Sequence, residues 1–270
     1  MKNIGSVKLL LRYPVKSMIG ETIETTVITN KGLLGDRAYS LIDTTNNKII
    51  SAKNPRKWPN LFSYHAKFVN EPTENNITDI QITLPNNNTI YSTQEDISEV
   101  LSSAFNSKIK LSSIVPDKVQ LEEYFADIKE VKNKDSVADA NMAKGTFFDL
   151  GTIHILTTST IKQLKKLYPE GDFHIDRFRP NIVIDLDSED IGFIENEWVG
   201  KKIMIGDEVV LSIKELTPRC VMTTLKQDSL VKDVNILKTA IKNNNGNIGV
   251  YADVISGGII KNNDLIKIIE

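Results

Sequence analysis

Through roughly the first hundred residues, apolar and polar positions alternate with the period of two that marks half-buried strands. In SVKLLLRYPVKS the alternation sets Val7, Leu9, Leu11 and Tyr13 on one face, and Pro14 limits the strand because it has no N–H for a ladder. TIETTVIT, AYSLIDTTNNKIIS, HAKFV and IQITLPNNNTIYS read the same way, the last as a hairpin about Asn86-Asn87-Asn88. The period then lengthens. Ile97, Val100, Leu101, Ala104 and Phe105 recur at helical spacing, preceded by Thr93 and Asp96 in a capping-box pattern. From Pro116 to Lys144 the chain is rich in Asp, Glu, Lys and Asn, and we take it as a connecting stretch.

The second half mixes the two periods. GTIHILTTS predicts a strand running into a helix with Ile161, Leu164, Leu167 and Tyr168 inward, stopped by Pro169 and Gly171. NIVIDL predicts a buried strand, and KKIMIGDEVVLSIKEL a hairpin about Gly206-Asp207. A second helix carries Leu230, Val234, Leu237 and Ile241, and two strands joined through Gly257-Gly258 close the pattern. Many short strands with few helices predict a mainly β (α+β) chain of two β-barrel-like domains. The domains are expected at 1–112 and 113–270, divided somewhere within 112–145.

Composition narrows the function class. The 270 residues are 40% apolar and 25% charged, ordinary for a globular protein. Lysine and arginine (33) nearly balance aspartate and glutamate (35), so no overall field draws the chain to nucleic acid. No apolar run is long enough to span a bilayer, and the N-terminal run, broken by Lys8 and Arg12, does not read as a signal peptide. One cysteine excludes an intrachain disulfide, and the cytoplasm is the expected location.

Four stretches combine polar and cationic residues with Gly or Pro at strand ends: YPVKS (Tyr13–Ser17), GLLGDR (Gly32–Arg37), DRFRPNIV (Asp176–Val183) and TPRC (Thr217–Cys220). Lys16 reads equally as a solvated strand-end lysine, and Gly35-Asp36-Arg37 as a plain turn. By alternation Arg177, Arg179 and Asn181 share a strand face, where two arginines need an anion or a carboxylate between them. Thr157 to Thr160 lie where a helix begins, which suits either an anion or ordinary capping by Thr158 or Ser159. Asp172, His174 and Asp176 alternate in a way that also fits a divalent metal. There is no Walker A loop, no Rossmann glycine fingerprint and no His-Glu-x-x-His.

Cys220 admits three readings. It is a core filler, a nucleophile needing one of His65, His154 or His174 in space, or a single ligand to a metal whose other ligands come from a cofactor. Protein thiolates alone cannot build a zinc or iron–sulfur site here. Arg219 beside it favours the thiolate, lowering a pKa of about 8.5 in free cysteine.

Taken in order, YPVKSMIGE, GLLGDRAYSLID, FFDLGTIHILTTSTIKQL, DRFRPNIVI, TPRCVMTT and GVYADVISGGIIKNND resemble the molybdenum cofactor sulfurase C-terminal (MOSC) domain family with its N-terminal β-barrel domain. The resemblance covers nearly the whole chain and extends to the mitochondrial amidoxime-reducing component. It implies a molybdenum ion held by the dithiolene of a pterin, with Cys220 as the protein ligand; pyridoxal phosphate is not expected. Lys16, Ser17 and Arg37 match positions that contact the pterin and its phosphate. Thr158, Ser159, Arg177, Arg179, Asn181, Arg219 and Tyr251 match further cofactor-contacting regions. Pro218 stands where several reductase relatives carry a small polar residue or a second cysteine, and Asn262-Asn263-Asp264 where a Gly-Asp turn is usual.

The resemblance implies two functions of different class. One is an oxidoreductase that reduces an N-hydroxylated or related small molecule, with electrons from a separate ferredoxin- or cytochrome-type protein, since the chain carries no cysteine set for its own cluster. The other is a sulfur-transfer (persulfide) or cofactor-carrier protein without redox turnover.

Overall fold

The computed structural model describes residues 2–129 and 131–269. Seven strands close into a barrel: Ile182–Leu186, Ile153–Thr157, Asn247–Ser256, Val209–Pro218, Lys202–Ile205, Leu265–Ile269 and Lys2–Arg12, the last pairing back to the first. Closure removes the free edges that an open sheet would expose. The one parallel pair within it, Ile153–Thr157 with Ile182–Leu186, is joined through the helix Thr158–Leu167, as a parallel pair requires. Alternation fills the barrel. Ile153 and Ile155, Ile203 and Ile205, and Val209, Leu211 and Ile213 point into one core, while Leu156 points out beneath the helix to meet Leu164, Phe178 and Ile248.

The other half packs two sheets over a separate core. Ile109–Ser112, Ser40–Asp43, Lys48–Ile49, Gln120–Phe125 and Ser136–Asn141 form a five-stranded sheet, and His65–Phe68, Ile80–Thr83 and Thr89–Tyr91 a three-stranded one. Trp58, Phe62 and Tyr64 anchor their core, with Tyr64 stacked 4.7 Å from Phe105 of the helix Ile97–Phe105. A third small sheet joins Thr25–Thr29 and Gly32–Leu33 to Gly258–Lys261.

The chain therefore crosses between halves more than once, and a division near residue 112 separates sequence rather than packing. Lys2–Arg12 completes the barrel formed otherwise by residues beyond 150, while the strands Gln120–Phe125 and Ser136–Asn141 belong to the sheet of the first half. Those two strands replace the expected connecting stretch. Ser136–Asn141 is an exposed edge strand whose polar composition carries no apolar alternation.

Several local expectations change for identifiable reasons. A register shift between Val7 and Leu9 breaks the first strand's alternation, so Val7 and Leu10 enter the barrel core while Leu11 and Tyr13 face Val183. Asp96, not Thr93, precedes the first helix, and no side-chain cap forms there. Thr157 rather than Thr158 or Ser159 caps the second, accepting from the Thr160 N–H. The third helix is Asn235–Asn244 and excludes Leu230. Gly257 and Gly258 do not turn a hairpin; Gly258–Lys261 leaves to pair with Thr25–Thr29, and a third strand, Leu265–Ile269, follows. No helix among the described residues is long and apolar enough to cross a membrane.

Candidate functional site

Three of the four cationic stretches meet at one buried carboxylate, and the fourth joins them through Arg219, which donates to the Phe178 carbonyl. Asp36 accepts from the Tyr13 backbone N–H at 2.8 Å and from the Asn181 side-chain amide at 2.9 Å, and it pairs with the Arg37 guanidinium. Asn181 returns its own carbonyl oxygen to the His154 N–H at 3.1 Å. Tyr13, whose hydroxyl donates to the Pro180 carbonyl, lies between two arginines: Arg179 is 4.1 Å and Arg37 4.6 Å from its ring centroid. Burial of the Tyr13 phenol pushes its pKa up, so the ring serves as a neutral platform.

Backbone geometry sets these groups in place. Arg177, Arg179 and Asn181 do not share a strand. A single 3-10 turn spans Ile175–Arg177, and Arg179 has φ 54°, in the left-handed region. Ser17 (φ 63°) and Arg37 (φ 49°) adopt the same region, and non-glycine residues held there concentrate at functional sites. Gly249, at φ 81°, is required by space as well: a Cβ there would stand 2.3 Å from the His154 Nε2.

The product is a cavity of about 300 Å³, walled by Lys16, Arg37, Lys53, Arg177, Arg179 and Arg219 against only two carboxylates, Glu123 and Asp149; Asn181, His154, Tyr251 and Cys220 also line it, and Phe147, Phe148, Leu150 and Phe178 are among its apolar wall. Lys16 donates to Asp149 at 2.5 Å and to the Phe147 carbonyl at 2.9 Å; Lys53 lies 3.7 Å from Asp149 and 3.6 Å from Glu123. Despite its burial, Asp149 is held below the usual carboxylate range by Lys16 and Lys53. Lys16 itself is pushed down by burial. Arg179, desolvated and beside Arg37, is pushed down to about 10.

The orphaned donors are the most telling feature. Nη2 of Arg179 and both Nε and Nη1 of Arg219 are buried without a hydrogen-bond partner, although Arg179 donates to the Met18 carbonyl at 2.6 Å and Arg219 to the Phe178 carbonyl at 2.8 Å. Buried N–H groups are almost always paired, so donors left over on two cations that wall one cavity call for an anion.

Cys220 follows Pro218, the end of the strand Val209–Pro218, and stands at the N-terminus of the 3-10 turn Val221–Thr224, half-buried. Its thiol behaves otherwise than expected. Burial pushes its pKa up; Lys53 is the main opposing pull and Arg219 a smaller one. Nor is His154 a base for it. Burial and Arg219 hold that imidazole neutral, and its Nε2 donates to the Ile248 carbonyl at 3.2 Å.

Model matches decide the family. The MOSC domain covers residues 144–267 and the MOSC N-terminal beta barrel domain residues 4–122. The chain belongs to the MOSC family. Such domains are found in molybdenum-cofactor-binding or sulfurase-type proteins. No curated protein matches. Among solved structures, YuaD protein from Bacillus subtilis is 10% identical over 98% of this chain and 95% of its own, with a TM-score of 0.50, a likeness of fold. YiiM from Geobacillus stearothermophilus is 18% identical over 44% of this chain and 55% of its own (TM-score 0.34). YiiM from Escherichia coli is 14% identical over 44% of this chain and 55% of its own (TM-score 0.34).

Within this MOSC protein, Lys16, Arg37, Arg179, Asn181, Arg219, Cys220 and Tyr251 line the same cavity. Arg177 also lines the cavity, but its guanidinium is spent on the backbone, donating to the carbonyls of Asp172, Thr223, Leu225 and Val231. Three expected residues lie away from the cavity lining. The Ser17 hydroxyl accepts from the Ala52 N–H, Thr158 donates to Asp185, and Ser159 donates to the Asp190 carbonyl. The helix N-terminus at Thr158 is occupied by a carboxyl group of the protein's own: Glu195, fully buried, accepts from the hydroxyls of Thr157 and Thr160 at 2.7 Å each. Asp172, His174 and Asp176 form no metal cluster among the described residues. Tyr13, Asp36, Lys53, Glu123, Asp149 and His154 complete the site beyond what was expected. Asp36 and Asp149 lie inside motifs singled out in the sequence; nothing in the sequence marks Lys53 or Glu123.

Proposed function

We propose that this cavity binds a phosphorylated pterin carrying molybdenum, with Cys220 as the protein's thiolate ligand, and that the protein is a reductase of N-hydroxylated or related small molecules. The observation that carries the reading is the set of unpaired buried donors on Arg179 and Arg219, two residues that line the cavity together with the only cysteine. Arg179 and Arg219, supported by Arg37 and Lys16, would receive the phosphate and the pterin's hydrogen-bonding edges. The neutral Tyr13 ring positions Arg37 and Arg179 from behind. Burial disfavours a free thiolate at Cys220, and a bound cation is what would stabilise one, which favours metal ligation over a free persulfide-bearing thiol.

When bound, the group supplies the two-electron redox chemistry, and the protein binds, orients and shields it. Conversion of a hydroxylamine-type N–OH to N–H with release of water consumes two electrons and two protons; a separate ferredoxin- or cytochrome-type donor supplies the electrons. Of this chain's own groups, Asp149 stays ionised between Lys16 and Lys53, and neutral His154 holds its proton on Nε2. Both fix the walls and neither offers a proton near neutral pH.

Metal analysis of protein made in a cofactor-synthesising host tests the reading. About one molybdenum per chain, lost in Cys220→Ala, is expected, together with turnover of benzamidoxime by a reduced donor protein. Metal-free protein with cyanide-releasable sulfur on Cys220 would instead establish the sulfur-transfer alternative.

A further inference from the structure

Cys220 and Arg219 wall two cavities, one rich in cations and the other mainly apolar. Beside the cationic cavity lies a second of about 220 Å³, and Glu123, Arg219 and Cys220 border both. Apart from Lys132, the rest of its wall is largely apolar: Tyr124 and Phe125 of the strand Gln120–Phe125, Ala126 just after it, Val131, Val221 after the cysteine, and Leu237 and Ile241 of the helix Asn235–Asn244. Ala126, Val221 and Leu237 are buried members of one apolar cluster.

We propose that this second cavity seats the substrate, and that the substrate is a small neutral molecule with a single aromatic or branched aliphatic body whose oxidised polar end lies at Cys220. The proposal rests on the reductase reading above and names its substrate class. Size sets the upper bound, since a cavity of about 150 Å³ lined by apolar side chains takes benzene, so this one holds a ring and a few further atoms. Chemistry sets the orientation. An apolar body gains from burial against Ala126, Val221, Leu237 and Ile241, none of which offers a charged group a partner. The cationic cavity also has apolar wall, from Phe147, Phe148, Leu150 and Phe178 among others, but it gathers six lysines and arginines, which suit an anion rather than a neutral ring. The polar groups common to both cavities gather at the junction, so a molecule seated apolar end inward presents its head where the cysteine stands.

Cys220 is the only thiol in the chain, so its alkylation reads out occupancy with or without a cofactor. In cofactor-free protein at pH 9, benzamidoxime is expected to slow iodoacetamide labelling of Cys220 at least fivefold. Hydroxylamine, which lacks the apolar body, is expected not to. Ala126→Phe and Ile241→Trp fill the cavity from opposite walls, and either is expected to abolish the protection; thermal melting shows which of the two is folded and serves. In molybdenum-loaded protein Ala126→Phe is expected to raise the KM for benzamidoxime at least tenfold with metal content unchanged. Protection that persists in a folded cavity-filled variant, or that hydroxylamine provides equally, overturns the proposal. Absence of molybdenum would refute the reductase reading, while the labelling result still decides whether the cavity takes this class of molecule.

Discussion

Replacing Arg219 with methionine separates an anion site from a structural arginine. The Arg219 guanidinium makes one hydrogen bond, to the Phe178 carbonyl, and leaves Nε and Nη1 buried and unpaired. Each unpaired buried donor costs about 1–3 kcal/mol, while the bond lost with the guanidinium is worth a similar amount. The cofactor-free variant is therefore expected to melt no lower than wild type. Addition of pyrophosphate gives the opposite ranking. At about 100 times its Kd, pyrophosphate stabilises wild type by about 2.7 kcal/mol, a rise in Tm of about 5–8 °C for a chain of this size. Two charge-assisted bonds lost from the anion, at about 1.5 kcal/mol or more each, weaken the affinity at least about 100-fold. At the same pyrophosphate concentration the variant is then only half-saturated and gains about 0.4 kcal/mol, or about 1 °C. Differential scanning calorimetry at fixed ionic strength measures both, since surface charges are screened alike in the two proteins. An equal rise in wild type and Arg219→Met would refute the assignment of these donors to an anion, as would a cofactor-free variant that melts several degrees lower.

Two other expectations follow from the same geometry. Arg177→Ala strips the donor from four backbone carbonyls and is expected to cost about 3 kcal/mol or more in folding, while molybdenum content per folded chain stays near wild type; a stable variant that loses the metal would place Arg177 on the ligand instead. Glu195 has its carboxyl raised by burial. Below the unfolded-state value both states hold the proton, and as pH rises past it only the unfolded chain releases it, so wild type loses stability up to the folded-state value. Glu195→Gln cannot ionise, and its stability relative to wild type is expected to improve from pH 4 to pH 7 in urea titrations; a relative stability that stays constant or worsens over that range would contradict the raised carboxyl.

The barrel was legible because its strands obey simple alternation, as Val209, Leu211 and Ile213 do. The motifs of the site were legible as clusters, but their contacts were not. Nothing in GLLGDR shows that Asp36 accepts from both Tyr13 and Asn181, which stand far from it in sequence. Alternation misled at DRFRPN, because a 3-10 turn and the left-handed Arg179 replace a strand there, even though the residue before a proline ordinarily favours extended backbone. The run of threonines at 157–160 was read as open to a ligand because its real partner, Glu195, lies in an unremarkable segment and reaches the helix only through the fold. Gln120–Phe125 and Ser136–Asn141 were missed for the converse reason: an exposed edge hairpin keeps the polar composition of a linker.

The crossing of the chain between halves explains why the site lies where it does. Lys2–Arg12 is the seventh strand of the barrel, and the residues just after it bring Tyr13 to Asp36 and Lys16 to the cavity wall. Residues 113–270 alone would leave Ile182–Leu186 and Leu265–Ile269 without that strand, and would also lack Tyr13, Lys16, Asp36 and Arg37. Barrel closure and site assembly are thus one event. The same event gathers six cationic side chains around one cavity and fixes Ser17, Arg37 and Arg179 in left-handed backbone, each at a cost of about 1 kcal/mol or more. Those costs are carried by the apolar cores on either side, so the site is the part of the molecule with most to gain from an anion. Pairing the free donors of Arg179 and Arg219 would relieve cationic repulsion across elements drawn from both halves, and ligand retention should therefore depend on the integrity of each.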